Sequence, residues 1–124
     1  MEVTLNHPGK YLYIRCVEEQ GIVVVDRKLC RSFVISRERA IENWAVRNIN
    51  DLGPEHLVPL LDLQPEVVLI GSGPKLQFAS PEAMAFLLSR GIGCEVMNNA
   101  AVARTFNVLA NEDRAVVAAF ILPD

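Results

Sequence analysis

The stretch EVVLIG at residues 66–71 lacks the alternation of polar and apolar side chains that a half-buried strand shows. It is rich in β-branched residues, which is typical of a parallel strand that is buried on both faces. Four more segments follow in the order helix, strand, helix, strand, at residues 81–90, 93–97, 100–110 and 115–122. Because such β-α-β units cross over in a right-handed sense, the order predicts a sheet flanked by helices.

The ends of these helices carry residues that ordinarily start and stop a helix. Ser80 precedes Pro81 and Glu82, which combines a capping hydroxyl, a first-turn proline and an acid near the positive end of the helix. Gly91 stands where a left-handed residue would end that helix. Asn98-Asn99 can cap the last helix in the same way as Ser80.

The first half of the chain has a different pattern. Short runs of β-forming residues between turns predict mainly antiparallel strands at residues 11–17, 22–25, 29–36 and 43–49. A short helix interrupted by Pro59 is expected at residues 54–63, after a flexible arm at residues 1–10. The whole sequence therefore predicts a single α/β domain over residues 1–124, with a mixed sheet whose parallel second half is joined by N-terminal antiparallel strands.

Composition restricts the class of protein. Apolar residues make up 51% of the 124 residues and charged residues 22%, as in an ordinary globular protein. No apolar run approaches the roughly 20 residues of a transmembrane helix, and the N-terminus has no apolar signal core. We therefore expect a cytoplasmic protein without a transmembrane segment. Cys16, Cys30 and Cys94 show no disulfide or zinc spacing, and we expect them to be small buried side chains.

Charge is distributed unevenly along the chain, whose net charge is −3. The basic residues concentrate in one segment and comprise Arg27, Lys28, Arg31, Arg37, Arg39 and Arg47. One interpretation is a solvated face of alternating strands, and the other is a docking patch for an acidic partner or a membrane surface. Nucleic acid is disfavoured because the chain as a whole is acidic and lacks strands studded with stacking aromatics.

The loop Gly71-Ser72-Gly73-Pro74 stands at the end of the central strand, where open α/β sheets place ligands. A dinucleotide fingerprint would need a third glycine at position 76, where Leu76 stands, and its helix would begin inside the motif. A P-loop is excluded because Lys75 comes only after the proline. The loop is therefore either a strand-exit turn or a contact loop for a small anion or a partner.

A second polar corner follows the next strand, in the segment MNNAAVARTFN. Asn99 and Asn107 share one helical stripe, with Arg104 and Thr105 beside it. Because parallel strands end at the same sheet edge, we expect Gly71, Ser72 and Gly73 to meet Asn99, with Arg104 nearby. This predicts a shallow pocket or a partner-contact rim, and the alternative is a set of caps on a solvated helix face.

Catalytic and metal-binding groupings are not recognisable in the sequence. His7 lies in the arm and His56 in the short helix, so a pair of Cys94 and His56 would depend on tertiary structure alone. No spacing of His, Cys and carboxylates suits a metal, and no cofactor is predicted. The aromatic side chains are expected to lie mostly in the core, including Trp44 and Phe78.

The segment from residue 67 to residue 123 resembles a family of small α/β domains found widely in bacteria and archaea. Its mitochondrial member is assembly factor three of respiratory complex I, the NADH dehydrogenase. The matching features are the strand into Gly71-x-Gly73, the helix ending in Arg90-Gly91-Ile92, the strand Glu95-Val96-Met97 and the run Arg104-Thr105-x-Asn107. Upstream, Trp44 and DLGPEHLVPLLDL also fit.

The resemblance implies a three-layer α/β fold with a central mixed sheet and an antiparallel β layer. It implies no established enzymatic activity, because the mitochondrial member acts as a chaperone-like factor on a membrane complex. The leading hypothesis is therefore a non-catalytic protein-interaction module whose partner is another protein. The alternative is a small-molecule or anion binder, or a weak enzyme, that uses residues 71–73 and the start of helix 99–110.

Overall fold

The computed structural model describes residues 2–4 and 11–123. The strands are β1 Glu2–Thr4, β2 Ile14–Glu18, β3 Gly21–Val24, β4 Arg27–Leu29, β5 Phe33–Ile35, β6 Arg39–Glu42, β7 Val67–Gly71, β8 Gly93–Met97 and β9 Val116–Phe120. The helices are α1 Pro54–Leu61, α2 Pro81–Leu88 and α3 Asn99–Asn111, with a 3-10 turn at Ile49–Asp51. None of the helices in these described ranges is long and apolar enough to cross a membrane.

Within the described ranges, six strands form a central sheet with the order β1-β6-β5-β9-β7-β8. Strands β9, β7 and β8 run parallel, as the β-α-β-α-β order predicts, and β5 joins them antiparallel to β9. At the pairing of β5 with β9, Phe33 and Phe120 are cross-strand partners. Their rings stack with centroids 5.0 Å apart. Such an aromatic pair contributes about 0.5–1.5 kcal/mol beyond its area burial.

A second sheet of three antiparallel strands has the order β2-β3-β4. It packs together with α3 against one face of the central sheet, around Ile22, Leu69 and Phe106. The other face is covered by α1 and α2, around Leu57, Val68 and Leu87. The α/β fold with three layers and a central mixed sheet is thus confirmed. Strand β7 contributes alternate side chains to both cores, which is why its sequence shows no polar alternation.

Helix ends form as their residues predict. The Ser80 hydroxyl accepts a hydrogen bond from the backbone N–H of Ala83, and the Asn98 side chain accepts one from that of Ala101. Gly91 has a φ of +74°, the left-handed conformation expected after α2. These caps fix where α2 and α3 begin, and therefore which side chains lie at the ends of β7 and β8.

The first half differs from its predicted strands. The single strand expected at residues 29–36 is wrong, because β4 and β5 belong to different sheets. The chain crosses between them at residues 30–32, where buried Ser32 exchanges hydrogen bonds with the backbone of Leu122. The strand expected at residues 11–17 begins only at Ile14.

The strand expected at residues 43–49 is also wrong. Strand β6 occupies Arg39–Glu42 instead and ends at Asn43, whose φ is +60°. The next residues follow an irregular path because Trp44 turns into the core and donates its indole N–H to the His56 carbonyl. The predicted arm does not hold for Glu2–Thr4, which pair with β6. The rest of the arm, residue 1 and residues 5–10 with His7, lies outside the described residues.

Candidate functional site

The ends of β7 and β8 lie side by side, because Gly71 and Met97 are register partners in the parallel pair. The chain leaves β7 through residues 71–73 and leaves β8 through Asn98 into α3. Asn99 donates its backbone N–H to the Gly73 carbonyl at 2.8 Å, and its Oδ1 accepts the Gly73 N–H at 3.2 Å. The two polar corners expected to meet are therefore in direct contact. We call Gly71, Ser72, Gly73 and Asn99 the strand-end rim.

Asn99 is 3% exposed and uses both ends of its amide. Its Nδ2 donates to the Ile121 carbonyl at 3.1 Å, just past the end of β9. Gly71 passes so close that a Cβ on it would lie 2.2 Å from Asn99 Oδ1. Glycine is therefore required at position 71 for this side chain to reach the Gly73 amide.

Ser72 is buried and holds the next turn of the chain. Its hydroxyl accepts the Gln77 N–H at 3.0 Å and lies 2.8 Å from the Lys75 carbonyl and 3.3 Å from the Met97 carbonyl. Gly73 provides the positive φ of +115° that this turn needs. The hydroxyl thus fixes the backbone at positions 75 and 77 of an irregular segment, residues 74–79, which we call the rim loop.

The rim loop presents two large apolar side chains to solvent. Phe78 is 82% exposed and Leu76 is 52% exposed. The loop ends at Ser80, whose side chain caps α2. The expectation that Phe78 lies in the core is wrong. A signal was present in the sequence, because Phe78 stands between a glycine turn and a helix cap, outside any periodic segment that could bury it.

The remaining residues of the predicted pocket lie along α3. Arg104 is exposed, and the Thr105 hydroxyl lies 3.8 Å from the Met97 sulfur. Asn107 is two turns from Asn99, or about 12 Å along the helix. Its amide forms a pair of 2.8 Å hydrogen bonds with the N–H and the carbonyl of Ile14. Asn107 therefore attaches β2 to α3 and does not join the rim.

The predicted basic patch is divided among three places. Arg27 reaches Glu42 of the central sheet at 3.0 Å. One Glu42 oxygen, Oε2, is buried within ion-pair distance of Arg27 but receives no aligned hydrogen bond. Lys28 crosses over Gly21 to Glu18, also at 3.0 Å. That hydrogen bond is the main reason that the pKa of Glu18 is lowered and the pKa of Lys28 is raised.

Arg37 lies near the end of α3, away from that pair. Its guanidinium donates to the Ala110 carbonyl at 3.0 Å, pairs with Asp113 at 2.8 Å and stacks over the Tyr11 ring. It therefore compensates the negative end of the helix dipole. Arg39 lies half-buried on β6, within the central sheet. Arg31 is exposed and adjoins Arg27 and Lys28 along one cleft.

The family of this chain follows from comparison with known sequences. A family model described as a protein of unknown function, DUF498/DUF598, matches residues 14–121. The chain belongs to this family. The resemblance seen in the sequence is thereby confirmed.

Curated relatives of this DUF498/DUF598 protein carry the name NADH dehydrogenase [ubiquinone] 1 alpha subcomplex assembly factor 3. The Xenopus tropicalis protein is 28% identical over 117 residues, which cover 93% of this chain and 63% of the relative. The human protein is 25% identical over 90% of this chain and 61% of its own length. The chain thus spans about three-fifths of the length of these relatives.

Solved bacterial structures share the fold of this family member. A Xanthomonas campestris protein is 39% identical, with a TM-score of 0.84 over 95% of this chain and 89% of its own. A Bordetella pertussis protein described as a Mth938-like domain is 25% identical, with a TM-score of 0.78 over 100% of this chain and 93% of its own. The three-layer arrangement is therefore common to these proteins.

Within residues 11–123 of this DUF498/DUF598 protein, no hydrogen bond joins His56 to a cysteine. His56 accepts the Gly53 N–H at its Nδ1 and so helps to start α1, whereas the Cys94 sulfur contacts that of Met84 at 3.6 Å. Burial raises the pKa of the Cys94 thiol to about 11, which disfavours a thiolate nucleophile. Among residues 2–4 and 11–123, no three His, Cys, Asp or Glu side chains are grouped to hold a metal.

Cys16 and Cys30 are exposed, so the expectation that all three cysteines are buried is wrong for these two, and Cys94 is half-buried. Both lie at the small sheet, Cys16 within β2 and Cys30 directly after β4. All residues from Arg15 to Glu18 are exposed, after a register shift between Ile14 and Cys16. Strand alternation therefore does not determine the exposure of Cys16, and Cys30 lies outside the strands.

Proposed function

We propose that this chain is a non-catalytic protein-interaction module that assists assembly of a membrane respiratory complex of the complex I type. The observation that carries the proposal is the 82% exposure of Phe78 on a loop closed by the buried Ser72 hydroxyl. The names of the curated relatives support the class of complex. The partner surface would be the rim loop, residues 74–79.

Exposed aromatic side chains on pre-formed loops favour protein recognition. Burying Phe78 in a partner's apolar pocket would contribute about 1.5–3 kcal/mol by removing its ring from water. Aromatic anchors of this kind often dominate the binding energy of an interface. Because Ser72, Gly73 and Pro74 already define the path of the loop, less conformational entropy is lost on binding than for a free segment.

The strand-end rim then serves as the support of the loop. A small-molecule or anion site at residues 71–73 and the start of α3 is the alternative function. A ligand there would have to displace hydrogen bonds that Ser72 and Asn99 already make to protein groups. These bonds favour a structural role for the rim and a binding role for the apolar side chains beyond it.

A deletion strain of the organism that encodes the chain tests the proposal. We expect lower levels of assembled complex I on native gels, restored by the wild-type chain and not by Phe78→Ser. The matched control is Leu88→Ser, which removes an apolar side chain that is 56% exposed at the end of α2. Unchanged complex I in the deletion strain, or full rescue by Phe78→Ser, would contradict the proposal.

A thermal-shift experiment separates the alternative function. Inorganic phosphate and citrate serve as anion probes, and a ligand at 100 times its Kd adds about 2.7 kcal/mol to the free energy of unfolding. We expect no shift that depends on the rim. If an anion stabilises the wild type but not Ser72→Ala, the result would support an anion site at the strand-end rim and contradict partner binding by the rim loop.

A further inference from the structure

Two adjoining clefts run beside strand β4. The first has a volume of about 150 Å³ and is lined by residues 27–31 together with Glu42 and Asn43. The second, of about 210 Å³, lies around Arg31, Asn43, Trp44 and Arg47. Arg31 and Asn43 line both, and we call the two clefts together the Arg31 cleft.

The lining of the Arg31 cleft is basic, although the chain as a whole is acidic. Four basic side chains and one carboxylate line it, whereas the chain as a whole has a net charge of −3. Arg27 is neutralised by Glu42 and Lys28 by Glu18. Arg31 is exposed, and no described residue forms a hydrogen bond or an ion pair with it. An acidic group that enters the cleft thus meets a guanidinium that no described residue already pairs with.

Strand β4 gives the cleft a second property. Within the described ranges, β4 pairs only with β3 and forms an edge of the small sheet. Backbone N–H and carbonyl groups on the outer side of an edge strand are available to another extended chain. Peptides are commonly recognised by this kind of strand addition, in which main-chain bonds give affinity and alternate side chains give specificity.

We propose that the Arg31 cleft binds an extended acidic segment of a partner protein, which adds along β4 and places carboxylates against Arg31. Alternate residues of such a strand point to the same side, so the fitting segment has Asp or Glu at every second position. This surface is distinct from the rim loop, because charge would drive binding here and apolar burial there. Of the basic residues singled out in the sequence, the proposed binding surface includes those at positions 27, 28, 31 and 47. It does not include Arg37 and Arg39.

Fluorescence anisotropy with defined peptides tests the proposal on the intact chain. The probe is a labelled, end-capped peptide of alternating Glu and Thr, compared with a Gln–Thr peptide of equal length. We expect the acidic peptide to bind and the neutral one to bind at least about tenfold more weakly, as for close charge pairs at interfaces. Binding should weaken with added salt. Equal affinity for the two peptides would overturn the proposal.

Charge reversal at two opposite edges of the same sheet gives matched variants. Arg31→Glu should reduce affinity for the acidic peptide at least about tenfold, whereas Arg15→Glu, on edge strand β2, should change it less than about twofold. Circular dichroism melting verifies that both variants are folded, and Arg31→Gln replaces Arg31→Glu if it is not. Equal losses in the variants at positions 31 and 15 would indicate non-specific attraction and contradict the cleft.

Hydrogen exchange of the backbone amides tests whether the peptide adds along β4. Peptide binding should slow exchange of backbone amides within β4, as expected for strand addition. Faster or unchanged exchange there would contradict the proposed pairing.

Anionic lipid vesicles and a single-stranded oligonucleotide serve as competitors for the labelled peptide. If either displaces it at a lower concentration than unlabelled peptide does, the cleft is assigned to that polyanion instead.

Discussion

Asn99 and Gly73 exchange two hydrogen bonds across the ends of β7 and β8. The backbone N–H of Asn99 donates to the Gly73 carbonyl at 2.8 Å, and the Asn99 side chain accepts the Gly73 N–H at 3.2 Å. The same side chain donates to Ile121 beyond β9 at 3.1 Å. One buried amide therefore ties together the exits of three parallel strands, and the path of the rim loop depends on it.

Replacement of Asn99 by Ala should destabilise the protein strongly. The variant leaves the Gly73 N–H and the Ile121 carbonyl buried without these partners, at about 1–3 kcal/mol for each group. Urea unfolding measures the loss. The matched control is Val108→Ala on the exposed side of the same helix, which should change stability by less than about 0.5 kcal/mol. Similar midpoints for the two variants would show that the Asn99 bonds do not support the fold.

A comparison of two glycines tests the close approach at the rim. Gly71→Ala places a methyl group 2.2 Å from Asn99 Oδ1, so the side chain must move, at a cost of about 1–3 kcal/mol. At Gly93 the nearest atom to an added Cβ lies 3.6 Å away. Gly93→Ala should therefore be neutral or stabilising by up to about 1 kcal/mol. Denaturation midpoints that fall equally in both variants would refute the steric account of Gly71.

The parallel half of the fold could be predicted because its signals are local. The strand Gly93–Met97 agrees residue for residue with the prediction, and β7 differs by one residue. Both helices start at the caps that their sequences offer. The meeting of Gly71 with Asn99 followed from one rule, that parallel strands end at the same sheet edge.

The first half could not be predicted as well because its strands are short and their partners are distant in sequence. Strand β1 pairs with β6, and β5 pairs with both β6 and β9. Periodicity in a run of three or four residues does not reveal which sheet the run joins, so the pattern of residues 29–36 suggests one strand where the structure has two. The prediction for Phe78 fails for a related reason, because hydrophobicity alone favours burial whereas the path of the loop leaves the ring exposed.

Asn107 should control the attachment of the small sheet to α3. Its Oδ1 and Nδ2 each form a 2.8 Å bond with the Ile14 backbone. Asn107→Leu removes both bonds and should cost about 1–3 kcal/mol, because the Ile14 groups are part-buried. Hydrogen exchange at Ile14 should become faster while that of β7 is retained. Unchanged protection of Ile14 would mean that the small sheet is held by its apolar contacts alone.

Cys94 should react more slowly with a disulfide reagent than the other two cysteines. Burial raises the pKa of its thiol from 9.0 to about 11, while Cys16 and Cys30 are exposed. In the folded protein at about pH 8 we expect two thiols to react rapidly with a disulfide reagent and Cys94 to react slowly, because the thiolate is the nucleophile. Three rapid reactions in the native state would contradict its burial.

The same thiol should contribute to the pH dependence of stability. Its pKa is higher in the folded state than in the unfolded chain, so the folded state binds the proton more tightly. The resulting stabilisation is fully present below pH 9.0 and is lost as the pH rises through about 11. We expect the difference in unfolding free energy between the wild type and Cys94→Ala to shrink over that interval. Groups common to both proteins cancel in this difference, so a value that stays constant with pH would contradict the shift.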